Sequence, residues 1–77
     1  MNYHYCIELV ELNIDLKTKK PEVKLLQILL NANGFSCGSN DGIFGNKTLL
    51  AVQKVNNKYN IKANYCNHDT WLALLNN

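Results

Sequence analysis

The amino-acid sequence predicts a mainly α-helical protein, a compact bundle of three helices preceded by an extended or β-like segment. Apolar residues recur at spacings of three and four in separate stretches, which is the period of a helix with one buried face. Gly, Asn, Ser and Asp cluster between those stretches, where they favour turns. A chain of 77 residues is long enough for one domain with one core.

The first 20 residues differ from the rest because apolar and polar residues alternate along them. The regular apolar positions are Val10, Leu12, Ile14 and Leu16, after an earlier run of opposite parity at Tyr3, Tyr5, Ile7 and Leu9. A period of two is typical of a strand with one buried face, and the change of phase indicates a bulge or bend. A helix over residues 5–16 is the alternative. We therefore divide the chain into a strand-like extension, residues 1–20, and a bundle, residues 21–77.

The first helix is predicted at residues 22–33. Pro21 suits the first position of a helix, and Gly34 suits the residue with positive φ that often follows the last helical residue. Turn residues dominate the loop over residues 35–45.

The second helix is predicted at residues 46–59, with Asn60 able to close it. Its inner face comprises Thr48, Ala51, Val52 and Val55, with Tyr59 one turn further on. The third helix is predicted at residues 68–76, led by Asn67 or His68 and rich in apolar residues.

A weak internal repeat links the two turns that precede the second and third helices. Residues 41–48 align with residues 63–70, and Gly42, Gly45 and Thr48 fall opposite Asn64, Asn67 and Thr70. Gly and Asn tolerate positive φ best, so we expect the two segments to form the same tight turn into a helix.

Charge and length exclude several classes of function. The eight Lys, without any Arg, give a net charge of +2, too weak and too scattered for binding to a phosphate backbone or for bidentate base recognition. We therefore expect neither a nucleic-acid nor a membrane partner, since no stretch has the length of a membrane span. The start lacks a basic segment followed by an unbroken apolar run, which predicts synthesis in the cytoplasm without a signal peptide.

Three groups of residues follow one another along the chain: Val23-x-x-Leu26-Gln27-x-x-Leu30-x-x-x-Gly34, Asp41-Gly42-Ile43-Phe44-Gly45-x-x-Thr48-x-x-Ala51-Val52, and Thr70-Trp71-x-x-Leu74. Together they resemble the peptidoglycan-binding domain family. The resemblance covers about residues 22–76 and implies a three-helix module of the kind appended to amidases, lytic enzymes and phage endolysins. Val55-Asn56 stands where the family usually has Phe-Gln, and Asn64-x-x-Asn67 replaces a second Gly-x-x-Gly turn.

The resemblance implies non-catalytic binding of peptidoglycan, through its glycan strand or stem peptide, at the cell wall. The expected ligand-binding residues are Asp41, Gly42, Phe44, Gly45, Asn46, Tyr59, Tyr65 and Trp71. The loop at residues 41–45 also fits a purely structural turn, and the aromatic rings, Trp71 above all, also fit core packing.

Catalytic and metal chemistry have little support in the sequence. Glycoside hydrolysis requires two carboxylates at a set separation, and after Glu22 only Asp41 and Asp69 remain, each explained by a turn. His4, Cys6, Cys66 and His68 are zinc-ligand types without standard spacing, so we expect no metal and no cofactor. Cys37 and Cys66 could meet as a disulfide, although a reduced pair suits a cytosolic product better.

Two functional hypotheses follow. In the first, the chain targets a lytic enzyme, such as a phage endolysin, to the wall. In the second, it is an interaction module in which residues 1–20 pair with a second copy or with a longer lytic enzyme, and the bundle serves as a scaffold.

Overall fold

The computed structural model describes residues 10–76 and contains three helices, α1 (Pro21–Ala32), α2 (Asn46–Lys58) and α3 (His68–Leu75). Each helix begins and ends within one residue of its predicted bounds. The prediction of a mainly α-helical three-helix fold is therefore confirmed. No helix in this described part of the chain is long and apolar enough to cross a membrane.

The helix ends follow from local sequence. Pro21 occupies the start of α1, where its missing N–H costs no hydrogen bond. Gly34 and Asn60 adopt φ of 85° and 58° after α1 and α2, as the left-handed end of a helix requires. Asn67 caps α3 reciprocally with Thr70, which stabilises this short helix.

The core lies between the three helices and below the turns that lead into α2 and α3. Its largest members are Trp71, Phe44, Leu26, Leu30 and Leu74, which are at most 1% exposed. Val52, Val55 and Ala51 line the inner face of α2, as predicted. Tyr59 is only partly buried at the edge of this core.

Residues 10–20, hereafter the arm, run across both turns of their own bundle. Leu12 exchanges backbone hydrogen bonds with Cys66 (2.8 and 2.9 Å), and the N–H of Asp15 donates to the carbonyl of Phe44 (2.9 Å). Trp71 Nε1 donates to the carbonyl of Val10 (2.7 Å). The arm thus forms isolated bridges with the bundle, without a helix or a regular strand in its described residues.

The expected alternation of buried and exposed side chains holds for only part of the arm. Leu12 is 4% exposed, whereas Ile14 and Leu16 are 44% and 66% exposed. The arm is hydrogen-bonded to the bundle only at isolated positions, so within residues 10–76 no continuous sheet covers the remaining apolar side chains. The earlier alternation at Tyr3, Tyr5, Ile7 and Leu9 lies outside the described residues.

The expectation of positive φ in the turns is correct at Gly42 and wrong at Gly45, Asn64 and Asn67. Gly42 has a φ of 79°, whereas Gly45 and Asn67 have φ of −102° and −101° in an extended conformation. Gly45 and Asn67 are equivalent as the cap residues of α2 and α3, which is where the repeat aligns them. The two segments therefore share an extended residue directly before the helix, and not a residue with positive φ.

Candidate functional site

The turn before α2 is held by the buried side chain of Gln27, which lies on α1. Gln27 Oε1 accepts the N–H of Gly42 at 2.9 Å. Its Nε2 lies 2.9 Å from the carbonyl oxygen of Ile43, 3.0 Å from Thr48 Oγ1 and 3.1 Å from Asp41 Oδ1. The side-chain amide of Gln27 therefore holds both the loop at residues 41–43 and the first helical turn of α2.

The turn before α3 is held in the same way by Asn56, which lies on α2. Asn56 Nδ2 donates to the carbonyls of Ala63 and Tyr65, both at 3.0 Å. Its Oδ1 accepts the hydroxyl of Thr70 at 2.6 Å. Ile43 and Tyr65, and Thr48 and Thr70, are the same pairs that the internal repeat aligns.

We refer to each of these buried side-chain amides, with its hydrogen bonds to the following turn, as an amide clamp. The sequence did not predict this pair of contacts. Gln27 belongs to the Leu26-Gln27 element of the family pattern, and Asn56 stands at the position of the family's second Gln. The replacement by Asn56 keeps an amide at that position, and the structure shows it to be fully hydrogen-bonded. No buried side-chain polar atom in residues 10–76 lacks a hydrogen-bond partner.

A groove of about 330 Å³ opens beside the clamp of Gln27. Its floor comprises the buried residues Gln27, Cys37 and Thr48, and its exposed or partly exposed rim comprises Leu16, Ser39, Asp41, Ile43, Gly45, Asn46 and Lys47. The groove therefore combines apolar side chains, neutral polar groups and two groups of opposite charge, Lys47 and Asp41. We refer to it as the turn groove.

The N-terminus of α2 faces this groove without a side-chain cap. Its cap residue is Gly45, which has no side chain to accept a hydrogen bond, whereas in α3 Asn67 Oδ1 accepts the N–H of Thr70 at 3.0 Å. The first N–H groups of a helix carry partial positive charge and have no acceptor within the helix. The start of α2 is thus a place where an anionic or carbonyl oxygen is favoured.

Asp41 holds the turn together with both of its carboxylate oxygens. Oδ1 accepts the N–H of Ile43 at 2.9 Å as well as the Gln27 amide, and Oδ2 lies 3.3 Å from Ser39 Oγ. The backbone N–H of Ile43, followed by the Gln27 amide, lowers the pKa of Asp41, because both donors favour the charged carboxylate. The structure therefore supports the turn-forming role of Asp41, and its role as a ligand contact stays a prediction.

The aromatic residues expected at the site are spread over the molecule. Phe44 and Trp71 are 0% and 1% exposed, so they pack in the core and have no surface for a ligand in this conformation. The ring of Tyr59 lies 5.5 Å from Lys58 Nζ, which also lies 5.6 Å from the ring of Phe35.

Tyr65 is partly exposed in a separate, smaller cleft, where its hydroxyl lies 3.5 Å from Glu11 Oε2. Of the eight expected residues, the turn groove brings together Asp41, Gly45 and Asn46. Gly42, which belongs to the turn, is buried. The sequence did not predict Leu16 at this site, because the arm that carries it lies far from the turn in sequence. It also did not predict Lys47, although Lys47 directly follows the expected residue Asn46.

Cys37 and Cys66 are separate free thiols, so the disulfide that could have joined them is not formed. Burial raises the pKa of Cys66 to about 12 and also raises the pKa of Cys37, because a buried thiolate loses its hydration. Both thiols are therefore protonated and unreactive at neutral pH. His4 and Cys6, the other two zinc-ligand types, lie outside the described residues.

The fold is a small three-helix domain in which Gln27 and Asn56 hold the two turns, and a groove lies beside Gln27 at the start of α2. The sequence model of the peptidoglycan binding domain family matches residues 19–74. The match covers well over half of the chain, and the chain belongs to the peptidoglycan binding domain family. No curated protein and no solved structure matches the chain.

Family membership makes peptidoglycan the partner of this domain and the cell wall its place of action. It confirms the family that the sequence motifs indicated. The matched region begins at residue 19 and so excludes most of the arm, which nevertheless forms part of the rim of the turn groove.

Proposed function

We propose that the chain is a non-catalytic wall-binding domain that directs a lytic enzyme, such as a phage endolysin, to peptidoglycan through the turn groove. The proposal rests on the family match, together with the groove at the uncapped start of α2. Peptidoglycan offers acetamido oxygens and stem-peptide carboxylates, which suit helix N–H groups and the ammonium group of Lys47. Its methyl groups suit the apolar rim formed by Leu16 and Ile43.

The non-catalytic part of the proposal is supported by the state of Asp41, the carboxylate that lines the groove. Asp41 is held in its charged form by the hydrogen bonds of the turn, so it is poorly suited to donate a proton as a general acid. Binding without hydrolysis predicts that purified wall sacculi keep their turbidity when the chain is added.

The first test is sedimentation of the full chain with purified sacculi from several low-GC bacteria. The chain is expected to pellet with the sacculi at micromolar concentration and to stay in solution without them. A chain that remains wholly in the supernatant with every wall type would contradict the proposed function.

The site is tested by Gly45→Asn, which copies the cap of α3 onto α2. The new side chain should accept the N–H of Thr48, as Asn67 does for Thr70, and thereby occupy the place proposed for a ligand oxygen. A Cβ at position 45 lies 3.5 Å from Leu16 Cδ2, an ordinary contact, so the fold should tolerate the change. We expect an unchanged or higher Tm together with about tenfold weaker binding to sacculi, equivalent to roughly 1.4 kcal/mol.

Gly45→Ala is the matched control, since it adds a Cβ but leaves the helix N–H groups open. It should lower the Tm slightly, because Ala is a poor cap residue, and should retain most of the binding. Equal binding by Gly45→Asn and the wild-type chain would place the ligand away from the start of α2.

A further inference from the structure

Asn33 and Gly34, directly after α1, form the dipeptide in which asparagine deamidates most readily. Glycine has no side chain to hinder its backbone nitrogen, so this nitrogen can attack Cγ of the preceding asparagine. The N–H of Gly34 gives its proton to hydroxide, a bond forms between this nitrogen and Cγ, and Nδ2 takes up a proton from water and leaves as ammonia. Water then opens the five-membered ring and leaves aspartate or isoaspartate at position 33.

The fold holds both reacting groups of this dipeptide in hydrogen bonds. The N–H of Gly34 donates to the carbonyl of Asn31 at 3.2 Å. The side-chain amide of Asn33 donates to the carbonyls of Leu29 at 2.8 Å and Leu74 at 3.3 Å. Closure of the ring also requires the backbone of Asn33 to rotate away from its ψ of 8°. The reaction therefore needs these hydrogen bonds to break first.

The hydrogen bond to Leu74 joins the end of α1 to the end of α3. Leu74 lies in the last turn of α3, where carbonyl groups have no N–H partner within the helix. The amide of Asn33 supplies such a partner, and its side chain is partly buried at this point. Separation of the last turn of α3 from α1 thus releases the amide of Asn33 from one of its two acceptors.

A carboxylate at position 33 would make the same contact repulsive. It has no proton to donate at neutral pH, and it would face the carbonyl oxygens of Leu29 and Leu74. It would also place a negative charge at the C-terminus of α1, where the helix dipole disfavours anions. Deamidation therefore weakens the attachment of α3 to α1.

We infer that Asn33 is a deamidation site controlled by the contact between α1 and α3, and that its product releases the end of α3 from α1. The closed contact slows the reaction, and each separation of the two helix ends permits it. Because the loss of ammonia is irreversible, the product accumulates with time. The frequency of this local opening thus limits the lifetime of the intact domain, whatever ligand the turn groove binds.

The rate of deamidation at Asn33 is measured by mass spectrometry of proteolytic peptides, with the full chain folded in buffer or unfolded in urea at the same mildly alkaline pH. A synthetic peptide of residues 29–38 in both solutions corrects for the effect of urea on the reaction itself. Asn33 should react at least about tenfold more slowly in the folded chain, because local opening must come first. Equal corrected rates would overturn control by the fold, and an unreactive Asn33 in urea would overturn the site.

The effect of the product is measured by comparing Asn33→Asp with Asn57→Asp. Asn57 is exposed in the last turn of α2, so both variants add a negative charge near the C-terminus of a helix. Asn57→Asp should lower the Tm by about 2–4 °C through the helix dipole alone, and Asn33→Asp by about 6–12 °C, because it also loses the hydrogen bonds to Leu29 and Leu74.

Asn33→Ser removes the amide without adding a charge, and its Tm should lie between those of Asn33→Asp and the wild-type chain. This variant keeps the comparison possible if Asn33→Asp does not fold. A Tm of Asn33→Ser equal to that of the wild-type chain, or equal losses for the two aspartate variants, would overturn the role of Asn33 in attaching α3.

Discussion

A side chain at position 42 would be unfavourable for two reasons, the backbone conformation and a close contact with the arm. Gly42 has a φ of 79°, a left-handed conformation that costs roughly 1–2 kcal/mol for residues with a Cβ. A Cβ there would also lie 3.2 Å from the carbonyl oxygen of Lys20, where the arm joins α1. The turn and the arm therefore approach closely only because residue 42 is glycine.

We expect Gly42→Ala to lower the free energy of unfolding by more than Gly34→Ala does. Gly34 has a similar φ of 85°, but a Cβ there meets nothing within 4 Å. Gly34→Ala should therefore lower the free energy of unfolding by about 1 kcal/mol, through backbone strain alone. Gly42→Ala should lower it further, because the new Cβ also comes too close to the carbonyl oxygen of Lys20. Urea unfolding monitored by Trp71 fluorescence measures both, and equal costs would show that the arm yields without penalty.

At the scale of the elements, each of the two turns depends on one amide from the preceding helix. The clamps of Gln27 and Asn56 connect α1 to the turn before α2, and α2 to the turn before α3. Hydrogen bonds to buried carbonyls matter because a buried polar group without a partner costs about 1–3 kcal/mol. The helices and their connections are thereby linked into one cooperative unit.

Asn56→Leu should destabilise the domain by about 2–4 kcal/mol, because it leaves the carbonyls of Ala63 and Tyr65 without their partner. The hydroxyl of Thr70 would lose Asn56 as an acceptor but keep Asn67 Oδ1 at 3.0 Å. Asn57→Leu is the control, since Asn57 is exposed on the same helix and its substitution should change stability by less than about 0.5 kcal/mol. Thermal unfolding of the two variants compares them directly. Similar Tm values would mean that the turn before α3 holds without its clamp.

At the scale of the whole molecule, the arm completes the bundle although it lies mostly outside the family match. Leu12 is buried against the turn at Cys66, and the carbonyl of Val10 accepts the indole N–H of Trp71. Burial of a leucine contributes about 1.5–3 kcal/mol and a hydrogen bond about 1 kcal/mol. The arm is therefore a structural part of this domain as well as a wall of its groove.

A chain that begins at Lys19 should be less stable than one that begins at Val10 by about 2–4 kcal/mol, the sum of these two contributions. Chemical denaturation of the two chains measures the difference, and the common absence of residues 1–9 makes the comparison specific to the arm. Equal midpoints would show that the arm adds nothing to the fold.

The expected self-association through residues 1–20 stays a prediction. Leu12 is buried within its own chain, whereas Ile14 and Leu16 keep exposed apolar surface that a second copy could cover. Light scattering of the full chain at tens of micromolar decides between a dimer and a monomer, and a monomeric mass would remove the idea.

The three helices can be predicted from the sequence alone, because their signals are local. Spacings of three and four, Pro21 at a helix start and Gly34 at a helix end act over a few residues, and each helix was placed within one residue. The motifs around Leu26-Gln27, residues 41–48 and Thr70-Trp71 also indicated the family. Burial of Trp71 followed from the same apolar pattern, since a helix as short as α3 needs a large core residue to hold it.

The composition of the groove and the role of the two buried amides depend on contacts between residues far apart in sequence. Leu16 and Gly45 lie 29 positions apart, and a pattern read along the chain carries no information on such a contact. The structure places Phe44 and Trp71 in the core, and their contact with a ligand stays a prediction. Gly45 differs from the expected conformation because a cap residue is extended, and φ at a glycine is set by the helix and turn on either side of it.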